Sequence, residues 1–351
     1  MEGEEEGIWE NRRSRPEQKR GIFKFSQTLS KNLKTLSISR KGVLVGFSGG
    51  VDSTVLLGLL EEQRREMDFR LHALHVDHGL RGIEGKRDAM HCRQMCKKWN
   101  VSFELVKKNI RLLAKKEKVS IELAARRFRK EALQEAASRL NCEFIFLGHT
   151  QDDQVETLLF RLFRGSGLHG MAGMQEIIKQ KNLFWCRPLL LFSKETLRAL
   201  SLSKKWTWKE DQTNSFPEHT RNQIRLEVIP LLKKIFPHSF PESLLRFGEL
   251  CRLSKEELIS QIPPSVAEAF SICGKKLKID LKKIENVSRI IFVELLRKYA
   301  PVFQAEGYMP SFERCSALYD LCFRETGKKI EVWPGIWALK KQDFVVLEGK
   351  E

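Results

Sequence analysis

The stretch Gly42-Val43-Leu44-Val45-Gly46-Phe47-Ser48-Gly49-Gly50-Val51-Asp52-Ser53 decides how the fold is read. Residues 43–47 are a short apolar run, the pattern of a strand buried on both faces of a parallel sheet. The run breaks into a glycine pair flanked by hydroxyls, and Val55, Leu56, Leu59 and Leu60 then recur at helix spacing. Strand, glycine turn and helix in that order put residues 48–53 at the carboxyl edge of a sheet, where open α/β folds bind ligands. Gly49 and Gly50 keep backbone N–H groups open to an anion, Ser48 and Ser53 add hydroxyls, and the following helix points its positive end at the same place. Asp52 repels bare phosphate and fits only if a hard cation such as Mg²⁺ lies between, which makes Asp52 the metal candidate, directly or through water. A plain strand-to-helix turn, with glycine for geometry and serine as cap, accounts for less of the hexapeptide. The turn is neither a Gly-Lys-Ser/Thr phosphate loop nor a dinucleotide loop.

Working outward, strands are expected near 71–76, 101–106 and 144–147, and helices near 84–99, 120–140, 151–163 and 193–205. This alternation predicts an α/β fold with a doubly wound, mostly parallel sheet. After about residue 208 the alternation fades. Residues 220–236 read as a helix with Ile224, Val228 and Leu231 on one face, kinked by Pro230. Residues 240–351 read as a smaller α+β domain, with helices near 242–260, 282–299 and 311–324 and strands near 329–333 and 343–347. The expected organisation is a flexible extension at 1–21, a catalytic domain at 22–218, a helical linker at 219–240 and a C-terminal domain at 241–351.

The 351 residues suit two domains, and 42% hydrophobic content excludes a mainly disordered chain. No apolar run is long enough for a membrane span, and the first residues carry no apolar signal core. Eight cysteines are too few for a disulfide scaffold, so a cytoplasmic protein is expected. With 62 Lys+Arg against 45 Asp+Glu, the net charge of +17 favours a polyanionic partner.

Three further motifs fall on the same sheet edge or face it. His75, Asp77 and His78 lie in His75-Val76-Asp77-His78-Gly79-Leu80-Arg81. On an extended segment His75 and Asp77 share a face and His78 takes the other, so a polar loop at the ligand edge is favoured over a metal site. Gly148-His149-Thr150-Gln151-Asp152-Asp153-Gln154-Val155-Glu156-Thr157 follows the last of these strands. A helix from Gln151 puts Asp152 and Glu156 on one face with Asp153 a step round, and carboxylates so close call for a cation or a proton. The alternative is an acidic helix start stabilised by the dipole. Arg126 and Arg129 share a helix face and could clamp a phosphate, or simply be solvated. A glycine-dense loop at 164–174, Arg187-Pro188-Leu189-Leu190, Glu210-Asp211-Gln212-Thr213-Asn214 and Arg221-Asn222-Gln223-Ile224-Arg225 are weak singly.

The hexapeptide 48–53 resembles the pyrophosphate loop of the N-type ATP pyrophosphatases, which have an adenine nucleotide alpha hydrolase-like fold. Taken in order over residues 22–230, the motifs resemble the tRNA(Ile)-lysidine synthetase family. Where that family usually has tyrosine after the last arginine of the motif, this chain has Lys130; the acidic head is also extra. The resemblance implies a ligase of tRNA modification. It would adenylate C2–O of the wobble cytidine of tRNA(Ile) with anticodon CAU, release pyrophosphate, and join free L-lysine at C2 to give lysidine and AMP. Codon reading would switch from AUG to AUA, and charging from methionine to isoleucine. It further implies ATP binding by Ser48, Gly49, Gly50, Val51, Asp52 and Ser53, with Mg²⁺ at Asp52. Arg126 and Arg129 would brace phosphate, and His75, Asp77 and His78 would edge the nucleotide. Asp152, Asp153, Glu156 and His149 would be catalytic, metal or lysine candidates, their roles unapportioned. The C-terminal domain would recognise tRNA. Oligomeric state is left open, a homodimer among the options. The rival reading is a tRNA thiolase of the same fold, which usually needs paired cysteines; Cys92-x-x-x-Cys96 is the nearest approach here, and no Cys-x-x-Cys occurs.

Overall fold

The computed structural model describes residues 29–31, 33–210, 220–274, 276–299, 311–333 and 335–349. The expected extension at 1–21 and the stretch 211–214 lie outside the described residues. The chain divides into two compact units, Met1–Glu156 with Met174–Pro230 and Thr157–Gly173 with Leu231–Glu351.

The first unit contains a six-stranded sheet in the order β3-β2-β1-β4-β6-β5. Its strands are β1 (Gly42–Gly46), β2 (Arg70–Asp77), β3 (Ser102–Lys107), β4 (Phe144–Phe146), β5 (Ile177–Gln180) and β6 (Leu183–Cys186). All neighbours are parallel except β5 and β6, which form an antiparallel hairpin at one edge. This hairpin is not legible in the sequence because strands of four residues are too short to show a period, even with β6 apolar throughout.

β1 shows why the sheet is covered on both sides. Val43 and Val45 enter one core with Val55, Leu56, Leu59 and Leu60 of α1 (Val51–Met67) and Cys92, Met95 and Cys96 of α2 (Ile83–Lys98). α3 (Ile110–Glu117), which the sequence reading left out, joins α4 (Ile121–Arg139) in a small satellite cluster through Ile110, Ala114 and Ala124. Leu44 enters a second core with Ala132, Leu133, Ala136 and Ala137 of α4. Strand side chains alternate between faces, so an unbroken apolar run is what such a double burial requires. The chain passes from β1 to β2 and β3 on one side, then returns to β4 on the other. The carboxyl ends of β1 and β4 therefore flank the topological switch point, the natural ligand crevice of an open parallel sheet.

α5 (Gln151–Phe163) starts beyond β4, and the division between the units falls within it. α6 is the single turn Leu168–Met171, and α7 spans Lys194–Ser203. The expected helix at 220–236 is broken into α8 (Thr220–Gln223), a π-helical segment Ile224–Val228 and α9 (Ile229–Ile235). Pro230 has no N–H for the helical ladder and its ring crowds the preceding turn, so the widened turn falls just before it. The extra residue in that turn rotates the apolar face: Ile224 is buried but Leu231 is 55% exposed, against the expectation that both share one covered face.

The second unit holds α10 (Glu242–Ser260), α11 (Pro264–Ala267), α12 (Arg289–Tyr299) and α13 (Phe312–Cys322) with a five-stranded antiparallel sheet. Its order is β7-β8-β11-β10-β9, from β7 (Phe270–Cys273), β8 (Lys276–Asp280), β9 (Lys329–Trp333), β10 (Ile336–Lys340) and β11 (Phe344–Gly349). Leu277 and Ile279 point inward between exposed Lys276 and Lys278. They pack with Phe292, Leu296, Leu318 and Leu321 of α12 and α13. The helix expected over 282–299 begins only at Arg289, after a 3-10 turn at Lys282–Ile284.

Candidate active site

The turn after β1 is held by its own serines. Ser53 Oγ accepts from the Ser48 N–H at 3.2 Å and donates to the Gly50 carbonyl at 3.1 Å, while the two hydroxyl oxygens lie 3.0 Å apart. Gly49 sits at φ +84°, and a Cβ there would come 2.8 Å from the Cys92 Sγ, so glycine is demanded twice. Gly50 caps α1 in extended geometry, with no side chain in the way. The Lys209 N–H donates to the Gly49 carbonyl at 2.9 Å and fixes the turn from outside.

The β4 end closes on this turn. A Cβ at Gly148 would lie 3.1 Å from the Ser53 nitrogen and 3.2 Å from the Asp52 carbonyl carbon, so a side chain there would press the two backbones slightly apart. Thr150 and Asp153 then start α5 as a capping pair: Asp153 accepts from the Thr150 N–H at 2.8 Å and from its hydroxyl at 3.0 Å, and the Asp153 N–H donates back to Thr150 Oγ1 at 3.3 Å.

Asp52, Asp152, Asp153 and Glu156 thus gather at the switch point, and their cations come from sites that no local motif marked. Lys194 Nζ lies 3.3 Å from Asp153 and 3.9 Å from Asp52. Asp152 accepts the Lys194 backbone N–H at 2.7 Å, capping α7. Arg225 grips Glu156 through Nε at 2.5 Å and Nη2 at 2.8 Å, and reaches Asp153 at 3.5 Å. Asp153 and Glu156, three apart, share this arginine, whereas the sequence reading paired Asp152 with Glu156. Burial alone would raise the Asp153 pKa, but the Lys194 ammonium and the Thr150 donors hold it below the ordinary carboxylate range. Asp52 goes the other way: burial, helped by Asp153 and Asp152 and opposed by Lys194, pushes it up to about 6. Its Oδ1 is buried with no hydrogen-bond partner in the protein. Among the described residues no three His, Cys, Asp or Glu side chains are arranged as a metal cage. The orphaned Asp52 oxygen beside an anion-accepting turn does suit a cation that takes one carboxylate and completes its shell with phosphate and water.

His75, Asp77 and His78 do not converge. His75, buried in β2, sets Nδ1 2.9 Å from the Phe47 carbonyl and 3.5 Å from Cys92 Sγ, so it props the turn from beneath. Burial lowers its pKa. Asp77 accepts from the Gly79 N–H at 2.9 Å and pairs with Lys107 at 3.3 Å; against the penalty of burial these contacts keep its pKa low. His78 lies against Phe128 and Arg129, and burial beside that guanidinium pulls it down to about 4.

Arg126 and Arg129 stand on α4 beside His149. Both residues keep an exposed face; desolvation by the surrounding protein lowers their pKa values, with Arg221 adding to it at Arg126 and Arg126 at Arg129. Burial and nearby Arg187 bring His149 down to about 4, so it is neutral at pH 7, and its Nδ1 is buried without a partner. Seven of the eight cysteines are buried, Cys92 and Cys96 among them. Burial raises the Cys92 and Cys96 thiols, the latter to about 12.

A glycine turn faced by carboxylates at a switch point is a geometry that an open α/β sheet can offer to a phosphorylated ligand. Residues 23–232 match the PP-loop domain family, and the chain belongs to it. Within that family it is similar to proteins named tRNA(Ile)-lysidine synthase. The one from Caldanaerobacter subterraneus subsp. tengcongensis is 29% identical over 88% of this chain and 65% of that protein. The one from Pseudomonas syringae pv. tomato is 41% identical over 56% of this chain and 42% of that protein. The one from Blochmanniella floridana is 35% identical over 80% and 54%. The chain therefore spans less than two thirds of the length of each of these three relatives. Among solved structures, a U34-tRNA thiolase from Methanococcus maripaludis shares the fold, with a TM-score of 0.53 at 18% identity over 69% of this chain and 80% of that one. Among the described residues no helix is long and apolar enough to cross a membrane.

Proposed function

We propose that this chain is an ATP-dependent tRNA(Ile)-lysidine synthetase, joining free L-lysine to C2 of the wobble cytidine of tRNA(Ile) with a CAU anticodon. The observation that carries the proposal is the unpartnered Asp52 Oδ1, buried between the anion-accepting turn and the carboxylates of α5. The names of the relatives supply the substrate class.

On this reading, residues 48–53 hold the β,γ end of ATP, and Asp52 would hold Mg²⁺, directly or through water. When bound, that ion offsets the charge that builds on the departing pyrophosphate. The cytidine O2 attacks the α-phosphorus, the bond to pyrophosphate breaks, and O2 becomes part of a good leaving group. Arg126 and Arg129 brace phosphate by charge-assisted contacts. The lysine amine then attacks C2, and the C2–O bond breaks to release AMP. Asp152, Asp153 and Glu156 hold the lysine ammonium or take its proton, with neutral His149 at their side. The target base must leave the anticodon stack to reach the site. Residues 241–351 grip the rest of the tRNA.

A thiolase would need a thiolate or cluster ligand, and the site-side thiols Cys92 and Cys96 are buried and raised in pKa. The deciding experiment is incubation with ATP, labelled lysine and transcribed tRNA(Ile) bearing CAU, followed by nucleoside analysis. Labelled lysidine is expected. ATP consumption that depends on a sulfur donor and ignores lysine would overturn the assignment.

A further inference from the structure

Two cations beside Arg126 have no part in the mechanism above. Lys130 lies one turn along α4 from Arg126, with Nζ 5.5 Å from the centroid of the Trp185 ring. Arg187 leaves the carboxyl end of β6, donates from Nη1 to the Gln175 carbonyl at 3.0 Å, and keeps a buried Nε with no hydrogen-bond partner in the protein. Arg126, Lys130 and Arg187 act on one another, and Lys181 acts on Lys130. Burial lowers the pKa of all three, most plainly that of Lys130, which falls to about 8 with Arg126, Arg187 and Lys181 adding to the shift. Arg126 is exposed and Lys130 and Arg187 are half-buried, and like charges gathered at such a site repel one another unless an anion compensates them. The Trp185 ring positions the Lys130 ammonium, the Gln175 carbonyl positions the Arg187 guanidinium through Nη1, and the buried Arg187 Nε is a donor still to be used. Trp185 and Arg187 are two residues apart at the end of β6, so the ammonium over the Trp185 ring and the Arg187 guanidinium fall on the same side of the chain, and both are groups that bind phosphate oxygens.

We propose that Lys130, Arg187 and Arg126 form a phosphate subsite separate from the 48–53 turn. The phosphate comes from the nucleotide or from the RNA backbone next to the target base. The inference rests on the proposed function for the identity of those two ligands, but not on turnover.

Equilibrium titrations of the full chain with ATP and, separately, with transcribed tRNA(Ile) decide it, using Lys130→Ala, Lys130→Arg and Arg187→Gln. Losing one charge-assisted phosphate contact should weaken one ligand roughly ten-fold in Lys130→Ala and Arg187→Gln, while Lys130→Arg keeps near wild-type affinity. A loss confined to ATP assigns the phosphate to the nucleotide. A loss confined to tRNA, with the salt slope reduced by about one, assigns it to the backbone. Unchanged affinity for both ligands overturns the proposal. So does a Lys130→Arg variant as weak as Lys130→Ala, or weaker binding of both ligands in step with a lowered melting temperature. Because binding is read without turnover, a wild-type protein that makes no lysidine would count against the proposed activity and leave this result standing.

Discussion

Asp52 shows what a single residue here gives up to be useful. Its pKa stands near 6 against 3.8 in a free chain, so the fold favours the protonated acid. The stability linked to that proton is complete below about pH 4 and is lost as pH rises through 6, a cost at pH 8 of at most about 3 kcal/mol. Asp52→Asn should therefore melt higher than wild type at pH 8 and at the same temperature near pH 4. The same substitution should abolish ATP–pyrophosphate exchange. A variant that is no more stable at pH 8, or that exchanges normally, would remove the buried-acid role. A cation at Asp52 must displace that proton, so Mg²⁺ affinity should fall as pH drops below about 6, which calorimetric titration can read. Residue identity at this turn was legible in the sequence because Ser48, Gly49, Gly50 and Asp52 are contiguous. The hydrogen bond from Lys209 to Gly49 was not, since a backbone donor leaves no trace in residue type.

At the scale of elements, Gly49 and Gly148 let strand ends meet the start of α1, and Arg225 ties the π-helical segment to α5. Gly49→Ala meets both a left-handed φ and the Cys92 sulfur, so it should lower the melting temperature and pyrophosphate exchange together. Adding Cys92→Ala removes the collision but not the backbone strain of about 1–2 kcal/mol, so the double variant should recover only in part. Full recovery would mean that the turn does not need its left-handed residue. Arg225→Ala leaves Asp153 and Glu156 without their shared guanidinium, and breaking a largely buried ion pair costs roughly 3 kcal/mol. If those carboxylates serve lysine, the variant should raise the KM for lysine more than that for ATP; equal rises would place Arg225 on the nucleotide side. The helices α1, α2, α4, α5 and α7 were legible because their apolar spacing and polar starts are local. The β5–β6 hairpin, the π-helical turn before Pro230 and the partners of Asp153 were not. Each depends on a neighbour distant in sequence or on the backbone's answer to one proline.

The molecule as a whole is basic, and the charge is spread over both units. In the second unit the sheet alternates inward Leu277 and Ile279 with outward Lys276 and Lys278. The order β7-β8-β11-β10-β9 could not be read from the sequence, because β8 pairs with β11 across some sixty residues of intervening chain and short alternating strands do not name their partners. Lys282 and Lys283 follow that sheet in the 3-10 turn. Lys282 pairs with Asp343 at 3.5 Å and is 81% exposed, and Lys283 pairs with Glu268 at 3.2 Å. Pairs this exposed contribute little to stability, so both lysines can exchange their carboxylates for RNA phosphates. Reversing both charges, Lys282→Glu with Lys283→Glu, should leave the melting temperature nearly unchanged and lower tRNA affinity. The slope of log affinity against log salt should lose about one unit for each phosphate contact removed. Equilibrium binding of ATP without tRNA should stay as in wild type, since neither altered side chain belongs to the 48–53 turn. An unchanged tRNA affinity at every salt concentration would take this patch out of the RNA-binding surface, and tRNA recognition would then have to rest on other cations of the chain.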